Sequence, residues 1–265
     1  MLNKINLKEI ISISQKAGNE IMKIYQKDFQ IEYKDDKSPL TEADTKSNEI
    51  ICNALIELYP NIPILSEENK VIEYETRKDW EYYWCIDPID GTKEFIKKND
   101  EFTVNIALIH KNTPVLGVVY APAIDAMYSA KKGEGAFLNG QKLPIKVNKN
   151  RSEKLFVVAS KSHLSEETQD FIDNLEAQEI EQVSKGSSLK LCMVATGEAD
   201  IYPRLAPTME WDTAAADAVV RESGKMTYQY DDSFQLTVNS GELVVQGTTV
   251  VYNKENLLNP YFVVV

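Results

Sequence analysis

Five runs of β-branched, aromatic and other apolar residues follow one another between residues 62 and 129, with turn-rich connections between them. The predicted strands are Ile62–Leu65, Tyr82–Ile86, Val104–Ile109, Val115–Tyr120 and Ala126–Ser129. Short connections of this kind suit hairpins, because a parallel crossover needs a dozen or more residues. This part of the chain is therefore predicted to form an antiparallel sheet built largely from neighbours in sequence.

Apolar residues recur at helical spacing before that sheet. Asn6 followed by Glu9 is typical of a capping box, and it begins an amphipathic helix that is predicted to continue to Ile24. A second helix is predicted over Thr41–Leu58. The polar segment Tyr33–Leu40 between the two helices is predicted to be a mobile loop.

From about residue 155 the pattern changes to alternating strands and helices. The predicted elements are strands at Phe156–Ala159, Ile180–Val183 and Ile201–Tyr202, with helices near Glu166–Leu175, Ser188–Thr196 and Thr213–Glu222, the last closed by Gly224. Such alternation is typical of an α/β structure. We therefore predict an α+β subdomain at residues 1–154 and an α/β subdomain at residues 155–265. The absence of a low-complexity linker predicts that they pack as one rigid unit.

Composition restricts the partners. With 265 residues, of which 43% are hydrophobic, the chain can bury a substantial core without a partner. The formal net charge of −12 disfavours a surface for long nucleic acid, which needs a basic footprint. A small phosphorylated ligand stays compatible with this charge if metals or local cations offset it.

The cysteines and the apolar stretches indicate a compartment. Cys52, Cys85 and Cys192 are widely spaced and form no C-x-x-C pair, which predicts reduced, buried thiols. We find neither a signal peptide pattern nor an apolar stretch near the roughly 20 residues of a membrane span. The sequence thus predicts a cytoplasmic protein, and it leaves monomer and homodimer open.

An apolar strand ends in an acidic turn, Asp87–Thr92. Asp87 and Asp90 lie three positions apart there, so their carboxylates can converge at the strand end with the carbonyl of Ile89. Mg²⁺ takes oxygen ligands in near-octahedral geometry, so this set suits magnesium. Asp-Pro and Asp-Gly are also common turn formers, and a plain solvated turn is the alternative.

Further carboxylates lie at the ends of predicted elements. Glu67 and Glu68 follow a predicted strand, and Asp212 lies at the start of a predicted helix. Asp212 also suits the role of an ordinary N-cap. The two histidines, His110 and His163, are too few for a typical zinc hydrolase.

Taken together, these motifs resemble the inositol monophosphatase superfamily. The shared features, in the order of the family, are Asp44, the Glu67–Glu68 pair, Asp87–Thr92, Gly133–Ala136 with Asn139–Gly140, and the W-D-x-A-A element at Trp211–Ala215. They extend over nearly the whole chain. The resemblance implies a layered α-β-α-β-α sandwich and a lithium-sensitive, magnesium-dependent phosphomonoesterase.

The resemblance also implies a set of metal ligands. Glu67 and Asp87 are expected to hold a first magnesium ion, with Asp87 shared between two ions. Asp90 and Asp212 are expected to hold the second, and the carbonyl of Ile89 supplies one further bond. Two such cations can activate a water and stabilise the charge on the transferring phosphoryl group.

The remaining predicted roles concern the attacking water and the substrate. By the same resemblance, the Thr92 hydroxyl orients the water, and Asp44 with Glu67 belongs to a third metal or holds that water. Glu68 is expected only to support its neighbour. Gly91, Thr92 and Asp212 are expected to contact the substrate.

A basic segment in the second half suggests which ester is bound. Gly186 precedes serines at a predicted helix start, where backbone amides and hydroxyls suit an anion. Lys190 adds a cation, and Arg204 can make a bidentate contact to a phosphate. Taken singly, the serines also fit ordinary caps, Lys190 a solvated charge and Arg204 a surface ion pair.

As a set, this segment and the following Y-P-R element resemble the CysQ-type 3′(2′),5′-bisphosphate nucleotidase branch of the superfamily. That resemblance implies hydrolysis of 3′-phosphoadenosine 5′-phosphate, a by-product of sulfate assimilation, to AMP and phosphate. Ser187, Lys190 and Arg204 would then bind the phosphate that is not cleaved, and His163 either assists or is simply solvated. Hydrolysis of inositol or sugar phosphates on the same site, and a non-catalytic metal- or nucleotide-binding module, are the alternatives.

Overall fold

The computed structural model describes residues 1–34, 39–146, 154–159, 165–239 and 242–265. The helices in these residues are α1 (Leu7–Tyr25), α2 (Glu42–Leu58), α3 (Tyr74–Arg77), α4 (Thr92–Ile96), α5 (Glu166–Asp173), α6 (Leu189–Thr196) and α7 (Glu210–Glu222). The strands are β1 (Ile31–Tyr33), β2 (Pro39–Thr41), β3 (Ile64–Ser66), β4 (Tyr82–Asp90), β5 (Thr103–His110), β6 (Thr113–Ala121), β7 (Ala126–Lys131), β8 (Gly135–Leu138), β9 (Gln141–Lys142), β10 (Lys154–Ala159), β11 (Glu179–Ser184), β12 (Tyr202–Arg204), β13 (Thr227–Gln229), β14 (Gln235–Asn239), β15 (Glu242–Gln246) and β16 (Phe262–Val264).

The first helix begins where the sequence predicts, but its cap differs. The Asn6 side chain accepts a hydrogen bond from the backbone N–H of Lys8 at 3.1 Å, as an N-cap does. The predicted capping box is wrong in one of its two bonds, the one from the Asn6 N–H to the Glu9 side chain. Glu9 accepts a bond from the Tyr59 hydroxyl, and that hydroxyl accepts the bond from the Asn6 N–H. Tyr59 therefore ties the start of α1 to the end of α2.

Seven strands form the central sheet in the order β3-β4-β5-β6-β7-β8-β9. The pairs are antiparallel except for β3 with β4, which run parallel. The predicted antiparallel sheet of sequence neighbours is confirmed. The strands β8 and β9 escaped prediction because they are two to four residues long and interrupted by the tight turn at Asn139–Gly140.

Both faces of the central sheet are covered by helices. On one face α1 and α2 contribute Ile21 and Leu55 to a buried apolar cluster that includes Ile106 of β5. On the other face Ala215 of α7 belongs to a second cluster, together with residues of α6. A Cβ on Gly117 of β6 would lie 2.1 Å from the carbonyl oxygen of Ala215, so this close approach of α7 to the sheet requires glycine.

The second half adds the remaining layers. β10 and β11 are parallel, β12, β16 and β13 form an antiparallel sheet, and β14 pairs with β15 as an antiparallel hairpin. Ile172 of α5 packs against Val157 and Val263 in a third apolar cluster. The order of layers is therefore α1 and α2, the central sheet, α6 and α7, the strands of the second half, and α5. The predicted layered sandwich is confirmed.

The segment Tyr33–Leu40 differs from its prediction as a loop. Its two described ends belong to β1 and β2, which pair antiparallel with Ile31 opposite Thr41. These strands are only three residues long, which is too short to show an apolar period that sequence reasoning could detect. Residues 35–38 lie outside the described residues.

Three further expectations concern the chain as a whole. Cys52, Cys85 and Cys192 are free and buried, as predicted. The second apolar cluster contains residues from both sides of residue 154, and the division there into two subdomains stays a prediction. Among the residues that the structure describes, none of the helices has the length and apolar character needed to cross a bilayer.

Candidate active site

The acidic turn is held by bonds from two neighbouring elements. The pairing of β4 with β5 shifts register between Asp87 and Asp90, and such bulges redirect side chains. The backbone N–H of Ile89 donates to Asp87 Oδ1 at 3.1 Å. From α2, the Ser47 hydroxyl donates to the carbonyl oxygen of Pro88 at 2.8 Å. The turn is therefore fixed against the helix that covers the sheet.

Thr92 and Asp44 are in direct contact. The Thr92 hydroxyl donates to Asp44 Oδ1 at 3.1 Å and lies 3.3 Å from the carbonyl oxygen of Ile89. Asp44 Oδ2 accepts bonds from the hydroxyl and the backbone N–H of Thr41, at 2.6 and 2.8 Å. Burial raises the pKa of Asp44, while these bonds act to lower it. The hydroxyl predicted to orient a water thus shares a hydrogen bond with the carboxylate predicted to assist it.

The other predicted carboxylates repel one another. Burial raises the pKa of Asp87 well above its usual range, and the charges of Glu67, Asp90 and Asp212 raise it further. Loss of solvent also raises the pKa of Asp90, although the charge of Lys190 opposes this. For Asp212, loss of solvent followed by the charge of Asp90 raises the pKa to about 8. A cation among these groups would allow all of them to be ionised together.

The donor types at this place fit a divalent cation. Carboxylate and carbonyl oxygens are the ligands that magnesium prefers. In the described part of the chain, no three Asp, Glu, His or Cys side chains are already arranged to hold a metal ion. Asp90 accepts a bond from the Ser188 hydroxyl at 2.7 Å, and Asp212 accepts one from the Met209 N–H at 2.9 Å. The fit to magnesium therefore rests on the oxygen donors and on the mutual repulsion of the buried carboxylates.

Lys34, which sequence reasoning missed, contacts the Glu67–Glu68 pair. Its Nζ lies 2.8 Å from Glu67 Oε1 and 2.6 Å from Glu68 Oε1. Burial would lower the pKa of Lys34, but the two carboxylates outweigh it and hold the pKa above its usual value. An ammonium group therefore offsets one of the two negative charges of this pair, of which the resemblance assigns Glu67 to a metal. A single lysine in a polar stretch gave no signal from which this contact could be predicted.

A single cleft joins the acidic turn to the second half of the chain. The predicted site residues that line it are Asp90, Gly91, Ser187, Lys190, Arg204 and Asp212. Tyr202 of the Y-P-R element also lines it, as do Glu94 and Glu101, which the sequence did not single out. The structure thus brings the predicted second-metal ligands and the predicted phosphate contacts together in one cleft.

Lys190 and Arg204, which both line the cleft, are not ordinary surface charges. Lys190 is only 8% exposed, and burial lowers its pKa to about 8 although Asp90 acts in the opposite direction. Its Nζ donates to the carbonyl oxygen of Ser187 at 2.7 Å. Within the described contacts, Arg204 donates to the carbonyl oxygen of Pro207 and its buried Nε has no partner. The readings of Lys190 as a solvated charge and of Arg204 as a surface ion pair are wrong.

The alternative that Ser188 is an ordinary cap is wrong. It stands at the N-cap of α6 but makes no capping bond with its side chain. Its hydroxyl donates to Asp90, lies 2.6 Å from the carbonyl oxygen of Asp212 and accepts a bond from Asn105 Nδ2 at 2.8 Å. A serine at a helix start is typical of a cap, so its actual role in positioning carboxylates could not be predicted.

Asp212 itself is not the N-cap of its helix. α7 begins at Glu210, three residues earlier than predicted, so Asp212 is its third residue. Its carboxylate accepts the bond from the Met209 N–H that a residue at this position makes in a capping box. The first turn of α7 therefore fixes the direction of the Asp212 side chain.

The predicted catalytic and metal residues come from four parts of the chain. Asp44 lies in α2, Glu67 in the turn after β3, Asp212 in α7, and the others in the acidic turn. The Glu67 backbone N–H donates to the carbonyl oxygen of Ile86 at 3.1 Å, which joins its turn to β4. His163 lies outside the described residues. The roles of these residues stay predictions.

Comparisons with known proteins find relatives over nearly the whole chain. The model of the inositol monophosphatase family matches residues 6–260. The chain is 41% identical to the 3′(2′),5′-bisphosphate nucleotidase CysQ of Salmonella typhimurium over 97% of this chain and 98% of the relative. A relative of the same name from Escherichia coli K12 is 40% identical, with the same coverage of both chains.

Solved structures are similar over nearly the same length. The crystal structure of CysQ from Bacteroides thetaiotaomicron, a bacterial member of the inositol monophosphatase family, matches with a TM-score of 0.81 and 38% identity. That match covers 98% of this chain and 96% of the other. The inositol monophosphatase of Thermotoga maritima matches with a TM-score of 0.71 and 25% identity, over 96% of this chain and 89% of the other.

Proposed function

Because the chain belongs to the inositol monophosphatase family, we propose that it is a magnesium-dependent 3′(2′),5′-bisphosphate nucleotidase. Its substrate would be 3′-phosphoadenosine 5′-phosphate, and its products AMP and inorganic phosphate. The curated relatives that carry this name match the chain almost from end to end. The observation that carries the proposal is the cleft, which carboxylates and cations line together and in which the buried Nε of Arg204 has no described partner.

The two walls of the cleft suit two different phosphates. Asp90 and Asp212, with the neighbouring Glu67 and Asp87, would gather cations around the phosphate that is cleaved. Lys185, Lys190 and Arg204, which we call the basic wall of the cleft, would bind a second anionic group directly. A substrate with two phosphates uses both walls, whereas a monophosphate leaves Lys190 and Arg204 without a bound phosphate.

The catalytic geometry would follow from the acidic turn. Glu67, Asp87, Asp90, Asp212 and the Ile89 carbonyl would hold two magnesium ions. When bound, such ions acidify a water and stabilise the charge of phosphoryl transfer. A third ion would involve Glu67 and Asp44.

The residues of the chain itself would orient the attacking water. The Thr92 hydroxyl donates a hydrogen bond to Asp44, so its oxygen lone pairs are free to accept a hydrogen bond from the water. The bonds from Thr41 to Asp44 keep that carboxylate from turning toward the water in place of Thr92. Gly91, in a left-handed conformation with φ +94°, would present its backbone to the transferred phosphate.

Partners and location follow the same proposal. A small phosphorylated nucleotide is the expected ligand, and the net charge of −12 disfavours long nucleic acid. A cytoplasmic location and a monomeric or homodimeric state also belong to the proposal.

Hydrolysis of an inositol phosphate is the second candidate. The acidic turn would serve any phosphate monoester, and a solved inositol monophosphatase shares the fold at 25% identity. The basic wall distinguishes the two, because a substrate with one phosphate gains little from Lys190 and Arg204.

Phosphate release from 3′-phosphoadenosine 5′-phosphate and from inositol 1-phosphate, each with magnesium and then with added lithium, tests the proposal. We expect magnesium-dependent, lithium-inhibited release that favours the bisphosphate. Faster release from inositol 1-phosphate would transfer the assignment to the second candidate. Nucleotide binding without release from either ester would indicate a non-catalytic module.

A further inference from the structure

A carboxylate already accepts a hydrogen bond from a backbone N–H group beside the basic residues of the cleft. The backbone N–H of Gly186, just before α6, donates to Glu101 Oε2 at 2.8 Å. The ammonium of Lys185 lies 3.5 Å from the other oxygen, Oε1. Both Glu101 and these two donors line the cleft. An amide N–H beside an ammonium group is a typical phosphate-binding pair, so the Glu101 carboxylate stands where an anion would bind.

Close packing prevents Glu101 and an anion from sharing this place. A Cβ on Gly186 would lie 2.8 Å from the carbonyl oxygen of Glu101 and 2.9 Å from Glu94 Cγ, so the two segments are in tight contact. The Glu101 side chain is only 15% exposed. Because one N–H makes one strong hydrogen bond, an anion that binds the Gly186 amide must displace the carboxylate.

The negative charge of Glu101 also disfavours the binding of an anion in the cleft. Lys190 and Arg204 line the same cleft and favour an anion, whereas a carboxylate at its edge repels one. In this half-buried site the repulsion is screened less than at an open surface. Glu101 therefore opposes the binding of a phosphate both by occupying a donor and by its charge.

We propose that Glu101 is an internal competitor for the phosphate that is not cleaved. Its carboxylate holds the Gly186 amide in the free protein and releases it when the nucleotide phosphate binds. This inference rests on the proposed function. Because AMP keeps the same phosphate after hydrolysis, Glu101 weakens the binding of the product and favours its release.

Substitutions at Glu101 separate competition from support of the fold. Glu101→Gln removes the charge and keeps the size of the side chain, and Glu101→Ala also frees the Gly186 amide. Both are expected to lower the dissociation constant of AMP about tenfold. Glu101→Asp keeps the charge and is expected to bind AMP as the wild type does.

The control removes an equivalent charge outside the cleft. Glu134 pairs with Lys131 at 2.7 Å, and neither residue lines the cleft. Glu134→Gln therefore has the same effect on net charge and is expected to leave AMP affinity unchanged. The affinities of all five proteins are measured by titration calorimetry with AMP in magnesium buffer, and their thermal unfolding is recorded beside them.

Unchanged or weaker AMP binding in a folded Glu101→Gln protein would overturn the proposal, because Glu101 would then support the site. A second measurement needs no variant. The proposal expects the Gly186 amide resonance of the ¹⁵N-labelled wild type to shift on AMP titration, and an unshifted resonance at saturation would also overturn it. Calorimetry involves no turnover, so a wild type that releases no phosphate would remove the proposed function without deciding the role of Glu101.

Discussion

Ser188 joins the basic wall of the cleft to the acidic turn through a hydrogen bond from its hydroxyl to Asp90 Oδ2, 2.7 Å long. The same hydroxyl lies 2.6 Å from the carbonyl oxygen of Asp212 and accepts a bond from Asn105 Nδ2. Ser188 is 1% exposed, so water cannot replace these contacts. One buried hydroxyl therefore sets the spacing between β4, α6 and the first turn of α7.

Ser188→Ala is expected to lower both stability and turnover. The substitution leaves the Asn105 amide and an Asp90 oxygen without their partner, which costs about 1–3 kcal/mol in the free energy of unfolding. Turnover should fall for mono- and bisphosphate esters alike, because the predicted metal carboxylates lose their alignment. Denaturant unfolding and phosphate release measure the two effects.

Ser187→Ala is the matched control for that variant. The Ser187 hydroxyl has only a long contact, 3.4 Å from Thr103 Oγ1, so its loss should leave the free energy of unfolding nearly unchanged. A Ser188→Ala protein as stable as Ser187→Ala would contradict the proposed positioning.

Replacement of a predicted metal ligand should abolish turnover and leave the fold intact. Asp90→Asn and Asp212→Asn each remove a carboxylate from a cluster whose members raise one another's pKa. Without metal, these variants should be at least as stable as the wild type because repulsion is reduced. Magnesium should raise the wild-type melting temperature and do so less in the variants.

A carboxylate far from the cleft provides the comparison. Asp232 is exposed, and Asp232→Asn should keep both turnover and the magnesium-induced rise in melting temperature. Magnesium-dependent phosphate release by Asp90→Asn or Asp212→Asn would remove that residue from the ligand set.

Long periodic segments made much of the fold predictable. Apolar residues recur through Leu7–Tyr25 and Glu42–Leu58 without interruption, so both helices were located to within a few residues. Several elements of three to five residues were missed, among them α4 and the strands after residue 226. Such short elements are stabilised by their neighbours in space, and their own residues carry too few repeats to show a period.

The carboxylates of the site were predictable, but the residues that hold them were not. Each carboxylate follows a strand or opens a helix, and this placement is visible in the sequence. The partners are joined only by the fold: Ser188 lies 98 residues from Asp90, and Lys34 lies 33 residues from Glu67. Neither a lone serine nor a lone lysine has a pattern that indicates such a partner.

Lys190→Ala and Arg204→Ala should discriminate between substrates. Each removes a cation from the wall opposite the acidic turn, so hydrolysis of 3′-phosphoadenosine 5′-phosphate should fall at least about tenfold more than that of a simple monophosphate. The measurement is kcat/KM for both esters. Lys142→Ala, which removes an exposed lysine outside the cleft, should change neither value. Equal losses on both esters would remove the recognition role.

The affinity for AMP should fall as the pH rises through about 8. Burial lowers the pKa of Lys190 to about 8, so its ammonium is present below that pH and is lost above it. The second pKa of a phosphate monoester is about 6, so the ligand keeps its charge over this range. By linkage, binding of the anion favours protonated Lys190, and proton uptake should accompany binding near pH 8.

Lys190→Arg separates this titration from that of the carboxylates. Arginine keeps its charge throughout, so the variant should lose the part of the pH dependence that belongs to Lys190. Asp212, whose pKa is also raised to about 8, titrates in both proteins when metal is chelated, so the difference between their profiles isolates Lys190. Calorimetry with AMP from about pH 7 to about pH 9 gives both profiles. Identical profiles in the two proteins would show that Lys190 does not titrate in contact with the bound phosphate.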